Sequence, residues 1–381
     1  MKTAILYNKF LDARGETQKL GGVETYILNL ARTCLENGIE TCIYQYADVA
    51  FHAVKDGIPI QGIRTAGLSP AQRREKLYNA AWAELDPRED VLIFGADHQS
   101  VPARHRHCVS IQHGVFLDLP AEMMTPSKLM RYAFLRRLKK RRVVNSQMRY
   151  TANCRNIVCV DHNFLNWYRT ACCDFPVGRF WVILNFTRIP DASTVQRKLG
   201  REKNGVDVLF ARRFVPQRGV RLMTTVAQRL LGRYADLRFT FAGEGPDQAI
   251  VEAALGNHPA VRLRKYLPDE ALGIALEHDV SVIPSLASEG TSLSVAEGMA
   301  AGCAVVATNV GGITNMIIDG FNGVLCQPAA EDVEQAIQSL MDNRHRIGLL
   351  GKRAYETAAE SFSIDRWKSC WLKVIREVAE L

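Results

Sequence analysis

Short apolar runs of strand length alternate with stretches of helical period along the whole chain, and that alternation predicts an α/β protein with parallel sheets. The first unit of the pattern is a buried strand at Thr3–Tyr7. A polar loop then reaches Gly21–Gly22, and a helix over Val23–Asn37 carries apolar residues at Val23, Ile27, Leu30, Ala31 and Cys34 until Gly38 stops it. Further strands are expected at Thr41–Tyr46, Val91–Phe94, Cys108–Gln112, Val143–Asn145 and Ile157–Val160. A second series begins after Asn185, with strands at Val206–Ala211, Arg238–Ala242, Val261–Arg264, Val280–Ile283, Ala304–Thr308 and Gly323–Leu325. Helices are expected between them at Arg221–Tyr234, Asp269–His278 and Ser292–Ala301, and three more follow one another over Glu331–Leu381. Asp191–Asn204, polar and preceded by Pro190, reads as a linker.

The length of 381 residues is too great for one core, so the pattern reads as two doubly wound domains. Such sheets bind ligands beyond the carboxyl ends of their strands, and a crevice between the two is the expected place. No stretch approaches the roughly 18 apolar residues of a membrane span, and the N-terminal apolar run is too short for a signal peptide. The ten cysteines lack metal-type spacing: Cys154 and Cys159 are too far apart for CxxC, and Cys172 and Cys173 are adjacent. Cys34, Cys42, Cys303 and Cys326 lie in apolar runs, where a reduced thiol packs as a small hydrophobe. A cytosolic protein with reduced thiols is expected.

The formal net charge is +8, but its distribution says more than its size. Between Met123 and Val160 stand ten Lys or Arg and no acidic residue, so the rest of the chain is slightly acidic. Eight of these lie in Lys128–Arg142: Lys128, Arg131, Arg136, Arg137, Lys139, Lys140, Arg141 and Arg142. Read as a helix, the segment puts Leu129, Met130, Ala133, Phe134 and Leu138 on one half of its wheel, a face that Arg137, Lys140 and Arg141 interrupt. Docking on an anionic membrane surface is the expectation, each basic residue near lipid contributing on the order of 1 kcal/mol. A nucleic-acid site is the competing reading, and it is weakened by few interleaved aromatics and no RNA motif.

The segment from Ile283 to Gly312 holds the densest candidate chemistry. A strand ends near Pro284, a loop of small residues follows, and a helix starts at Ser292. Free backbone N–H groups and the positive end of the helix dipole make such a start a phosphate site, and Thr291, Ser292 and Ser294 are small enough to admit an anion. Glu289 in the loop and Glu297 in the helix can accept hydrogen bonds from sugar hydroxyls. Arg212, Arg213 and Arg218 follow another strand end, where guanidinium forks match diphosphate oxygens. His113 and Asp97–His98 close strands in the first half, and Gly243 opens a further glycine loop. Asp-x-Asp occurs nowhere, so arginines and a helix N-terminus, rather than a metal clamp, are expected to neutralise a diphosphate.

The ordered set Gly-Gly-Val-Glu (21–24), His113-Gly114, Asn145-Ser146, Asn185, Arg213 to Gly219, Gly243-Glu-Gly-Pro246, Glu289 through Glu297 and Gly311–Gly312 resembles glycosyltransferase family 4. The likeness covers most of the chain and is strongest over Val206–Pro328. It implies the GT-B architecture, two Rossmann-like doubly wound domains facing a central crevice. Residues 1–185, completed by a C-terminal helix at 364–381, would bind the acceptor, and 186–363 the nucleotide-sugar donor.

By the same resemblance Arg213 and Arg218 hold the donor diphosphate with backbone N–H groups of Thr291, Ser292 and Leu293 and with Gly22. Glu297 takes the ribose, Glu289 and Gly290 meet the transferred sugar, and Tyr266 and Leu267 border the base. His113 lies near the sugar, and with Glu289, Arg213 and Arg218 completes the catalytic set. The implied reaction is retaining and metal-independent, with a UDP- or GDP-linked sugar as donor and no other cofactor. The acceptor is a saccharide, lipid-linked if the basic patch meets a membrane, as in cell-surface glycan synthesis on the cytoplasmic face. An epimerase or phosphorylase of the same fold is the alternative. The family usually has Lys where Arg218 stands, and Glu-Gly-Phe-Gly where this chain has Glu289-Gly-Thr-Ser, which reshapes the sugar pocket.

Overall fold

The computed structural model describes residues 1–17, 21–115, 118, 132–171, 178–287 and 289–380. The chain divides into two compact units, one of Met1–His113, Arg137–Leu184 and Trp367–Leu381, the other of Gly114–Arg136 and Asn185–Arg366.

The first unit is built on an eight-stranded sheet in the order β3-β4-β2-β1-β5-β6-β7-β8. Its strands are β1 (Lys2–Tyr7), β2 (Glu40–Ala47), β3 (Phe51–Lys55), β4 (Ile58–Arg64), β5 (Val91–Phe94), β6 (Cys108–Gln112), β7 (Asn156–Cys159) and β8 (Arg179–Val182). All neighbours pair in parallel except β3 with β4, an antiparallel edge hairpin. The inner strands β1 and β5 are buried almost throughout, which is why they read as continuous apolar runs rather than alternations. The helices are α1 (Gly22–Glu36), α2 (Pro70–Trp82), α3 (Ala133–Ala152) and α4 (His162–Ala171). Ser69 caps α2 reciprocally with Gln72, a capping box with proline at the first helical position.

The second unit carries a six-stranded parallel sheet in the order β11-β10-β9-β12-β13-β14. These are β9 (Val206–Ala211), β10 (Leu237–Ala242), β11 (Val261–Arg264), β12 (Val280–Ile283), β13 (Ala304–Thr308) and β14 (Val324–Cys326). Its helices are α5 (Ala192–Leu199), α6 (Val220–Leu231), α7 (Gln248–Leu255), α8 (Ala271–Leu276), α9 (Leu293–Ala300), α10 (Ala330–Asp342) and α11 (His345–Ser361). A core of Val208, Phe210, Phe239, Val282, Met223 and Ile337 fills the space between sheet and helices. The last helix, α12 (Ile364–Ala379), brings Trp371 into the first unit, where its indole N–H donates to the Tyr26 hydroxyl at 2.8 Å.

Two expectations are corrected. Val143–Asn145 is not a strand but part of α3, because its β-branched pair sits in a basic stretch of helix formers that prevails over it. Asp191–Asn204 is not a plain linker: α5 spans most of it and buries Val195 and the stem of Lys198, whose ammonium donates to the carbonyls of Ala275 and Ala301. On the basic helix, Phe134 is 69% exposed and Leu138 is 39% exposed. Lys128, Leu129, Met130 and Arg131 lie outside the described residues, as do Cys172 and Cys173. The eight described cysteines are free thiols, and no helix among the described residues is long and apolar enough to cross a membrane.

Candidate active site

Each sheet reverses its winding at one point, and there loops splay apart to leave room for a ligand. In the second unit the reversal lies between β9 and β12. The carboxyl end of β9 runs into Arg212–Gly219, and that of β12 into Pro284–Ser292. The chemistry singled out in the sequence therefore converges because neighbouring parallel strands deliver both loops to the same edge.

Gly219 holds this meeting together. Its φ of 73° is left-handed, and a Cβ there would collide with the Pro284 carbonyl oxygen. Gly311, at φ 53°, likewise lets its backbone lie against that of Glu289, and the adjacent Gly312 N–H donates to the Glu289 carbonyl at 2.9 Å.

At the centre sits Glu289, 5% exposed. Its Oε1 accepts from the Arg212 guanidinium at 2.6 Å and from the Ser285 hydroxyl at 2.5 Å, and it also pairs with Arg218. Burial alone would raise this carboxyl, but Arg212, Arg218 and Ser285 hold it below the ordinary glutamate range. Glu289 is thus a fixed anion with its charge already matched. Arg212 donates to Ser285 as well, at 2.5 Å, so arginine, serine and glutamate form a closed triangle. Burial lowers the Arg212 guanidinium, and Glu289 opposes that shift.

Arg213 points the other way and is exposed. The extended backbone continues past β9, where the Arg212 N–H still pairs with Ala242, and successive side chains alternate. Arg212 turns in and Arg213 turns out. The sequence marked Arg212 with Arg213 and Arg218 as diphosphate candidates, the family resemblance gave roles to the latter two, and Ser285 was given none. The strand alternation was the signal that separates the two adjacent arginines.

Helix α9 starts at this edge. Thr291 is fixed by Asn185, whose backbone N–H donates to the threonine hydroxyl at 2.9 Å and whose amide donates to its carbonyl. The Ser292 N–H points at the Met316 thioether, 3.2 Å away, a weak acceptor that an anionic oxygen would outcompete. Leu293 opens the helix, and Gly290 lies between Glu289 and Thr291.

Glu297, one turn into α9, borders a small cavity lined by Ala211, Ala271, Ser294 and Gly298. Burial raises its carboxyl to about 7, with Arg212 opposing. Burial also raises the Tyr266 phenol, to which the Glu297 charge adds, whereas Leu267 is largely exposed. Gly243 follows β10, where a Cβ would strike the Arg212 carbonyl.

In the first unit the winding reverses between β1 and β5. Gly22 begins α1 beside this point, and Glu24 in the first turn accepts from the Tyr7 hydroxyl at 2.9 Å. His113 follows β6. Its Nε2 must carry the proton, because it lies 2.8 Å from the Gly95 carbonyl oxygen, which can only accept. Nδ1 is then the acceptor nitrogen. Burial lowers the ring's pKa to about 4, and the ring packs edge-on against Tyr26 with centroids 5.2 Å apart. Nearby Asp97, 2% exposed and hydrogen-bonded by the Gln147 amide, is raised to about 7 by burial. On α3, Arg137, Lys140, Arg141 and Arg142 are exposed, and Arg136 and Lys139 are half-buried.

Most of the residues that form this geometry, a buried carboxylate paired with arginines beside a helix N-terminus, lie in a stretch that matches a known family. Residues 191–358 match the model of the glycosyl transferases group 1 family. They form a group 1 domain.

Relatives of the group 1 domain agree. An uncharacterized glycosyltransferase of Methanocaldococcus jannaschii is 29% identical over 179 residues, covering 45% of this chain and 48% of the relative. The MMP alpha-(1->4)-mannosyltransferase of Mycolicibacterium hassiacum is 31% identical over 185 residues, covering 47% and 44%. The chain thus spans under half the length of each of these curated relatives. Among solved structures, sucrose-phosphate synthase of Thermosynechococcus elongatus matches with a TM-score of 0.75 at 14% identity, covering 99% of this chain and 98% of that one. The Anabaena protein HepE in complex with UDP-glucose matches at 0.70 and 15% identity, covering 99% and 100%. The fold is the GT-B fold of two parallel-sheet α/β domains.

Proposed function

We propose that the protein is a glycosyltransferase that moves a sugar from a nucleoside diphosphate sugar, UDP- or GDP-linked, to a hydroxyl of a saccharide acceptor. The observation that carries this reading is the convergence, within a group 1 domain, of Arg218, Glu289 and the α9 N-terminus at one switch point.

Departure of the diphosphate leaves negative charge on its terminal phosphate and an oxocarbenium-like sugar. Arg213 and Arg218 and the backbone N–H groups of Thr291–Leu293 stabilise that charge without a metal, and they act most strongly where water is excluded. Glu297, whose carboxyl burial raises to about 7, donates to or accepts from the ribose hydroxyls. Glu289 faces the sugar. The anomeric configuration is retained by front-face attack, the leaving phosphate accepting the acceptor's proton. The first unit binds the acceptor with His113 at its site, Nδ1 available to a hydroxyl donor. That acceptor is lipid-linked, and the basic residues of α3 hold the enzyme to the anionic cytoplasmic face of a membrane during cell-surface glycan synthesis.

A thermal-shift screen against UDP, GDP, ADP and their sugars tests the donor class, since a ligand that binds the folded state raises Tm by mass action. One nucleotide series is expected to raise it, and Arg218→Ala to abolish the shift while the fold survives. Transfer to acceptor is expected to fall by two or more orders of magnitude in the same variant. No shift with any nucleotide, or wild-type transfer by Arg218→Ala and Glu297→Ala alike, overturns the assignment.

A further inference from the structure

The strongest unassigned chemistry lies in the first unit, at the other end of the β6 strand from His113. Cys108 opens β6, and Cys154 lies in the short connection from α3 to β7. The two strands pair in parallel with Val109 opposite Asn156, a register that brings both cysteines to the start of neighbouring strands. Their sulfurs are 2.9 Å apart. A disulfide bond is about 2.05 Å long, and unbonded heavy atoms rest at about 3.5–4.0 Å. The sheet therefore holds the two sulfurs in contact, close enough to bond with little movement. The Cys154 sulfur lies 3.2 Å from the Cys108 carbonyl oxygen and 3.3 Å from the Asn156 carbonyl oxygen, contacts that fix it beside its neighbour. Leu92, Val101 and Tyr78 enclose both.

We propose that Cys108 and Cys154 are an oxidation site that forms a reversible intramolecular disulfide when a peroxide reaches them. The reading of the thiols as packed hydrophobes describes the reduced form. Hydrogen bonding from Cys154 holds Cys108 below the ordinary thiol range, whereas burial pushes Cys154 well above it, so Cys108 is the attacking sulfur. Its thiolate takes one peroxide oxygen, the O–O bond breaks, and hydroxide leaves with Cys108 as the sulfenic acid. The Cys154 sulfur then attacks the Cys108 sulfur. The S–S bond forms, the S–O bond breaks, and the hydroxyl departs as water with the Cys154 proton. Two thiols lose two electrons, and one peroxide becomes two waters, the proton from Cys108 completing the second. Burial at 3% and 4% exposure means the reaction waits on local opening, which makes a small oxidant the fitting class.

The bond would join residues 46 apart and close the stretch that contains α3. A cross-link of that span constrains the unfolded chain, so oxidation is expected to raise Tm by several degrees.

Peptide mapping of the folded full-length protein tests the proposal. After hydrogen peroxide, alkylation and trypsin without reductant, the tryptic peptide 107–128 is expected joined to 150–155, and dithiothreitol is expected to release both. The rise in Tm is expected in the wild type and absent from Cys108→Ala and Cys154→Ala, each compared with its own reduced form. Recovery of both cysteines as alkylated thiols, Cys108 joined to another cysteine, or Cys108 carried on to the sulfonic acid with Cys154 free, overturns it. The mapping uses the wild type alone, so it decides the matter even where a variant fails to fold.

Discussion

Replacing Arg212 by methionine probes the site most directly, because it removes one charge from the buried triangle and keeps the bulk. In the wild type Glu289 is matched by Arg212 at 2.6 Å and by Arg218, with Ser285 donating at 2.5 Å. Breaking a buried ion pair from one side costs about 3–5 kcal/mol, since the partner is left as an uncompensated charge. Arg218 and Ser285 remain in the variant, so the lower end, about 3 kcal/mol, is expected. For a unit of this size each kcal/mol moves Tm by about 2–4 °C, so the fall is about 6–12 °C. Urea unfolding followed by circular dichroism, with hydrogen exchange at Val280–Ile283 to localise the loss, measures it. Glu289→Gln and the double variant complete a cycle. A coupling of at least about 1.5 kcal/mol is expected, as for contacting residues in one network.

The pH dependence supplies a further check on the same triangle. The folded carboxyl of Glu289 lies below its unfolded value of 4.5, so its stabilisation is full above that pH and is lost as pH falls through the folded pKa. In Arg212→Met the loss begins at higher pH. A cost below about 0.5 kcal/mol, or additive single variants, would refute the claim that Arg212 and Glu289 form one buried unit.

Two further outcomes follow from the same physics. Glu297 is raised from 4.5 to about 7 on folding, so the unfolded chain ionises first and stability falls as pH rises from about 4.5 to 7, by up to about 3 kcal/mol, then levels. Glu297→Gln should flatten that decline in urea titrations at pH 4.5 and 7, and an unchanged slope would assign it to other groups. Arg137, Lys140, Arg141 and Arg142 changed together to Gln should weaken co-sedimentation with anionic liposomes at least tenfold and leave nucleotide thermal shifts unaltered. Equal pelleting of the wild type with anionic and neutral liposomes would remove the membrane from the proposal.

Much of the fold was legible because parallel strands buried on both faces read as unbroken apolar runs, and helices between them read at their own period. The less visible elements were those the pattern marks weakly. The edge hairpin β3–β4 is half-exposed and its apolar residues are interrupted by His52, Gln61 and Gly62 rather than forming an unbroken run, and α5 is a short polar helix whose stability comes from burying Val195 and the Lys198 stem. Val143 and Val144 suggested a strand by local preference, but they sit inside twenty residues of helix.

The candidate site divides along the same line. The sequence by itself determined which loops carry donors and acceptors: arginines after one strand, small residues and glutamates after another, glycines where backbones must meet. Their motif order was enough to point to the family. Only the tertiary structure decided that Arg212 turns inward to pair with Glu289 while Arg213 stays exposed, that Ser285 completes the triangle, and that Glu289 is a matched anion whereas burial raises Glu297. Those outcomes depend on which face of an extended backbone a side chain leaves from and on how many opposite charges reach it after burial. Both are properties of residues far apart in the chain, set when β9 and β12 become neighbours.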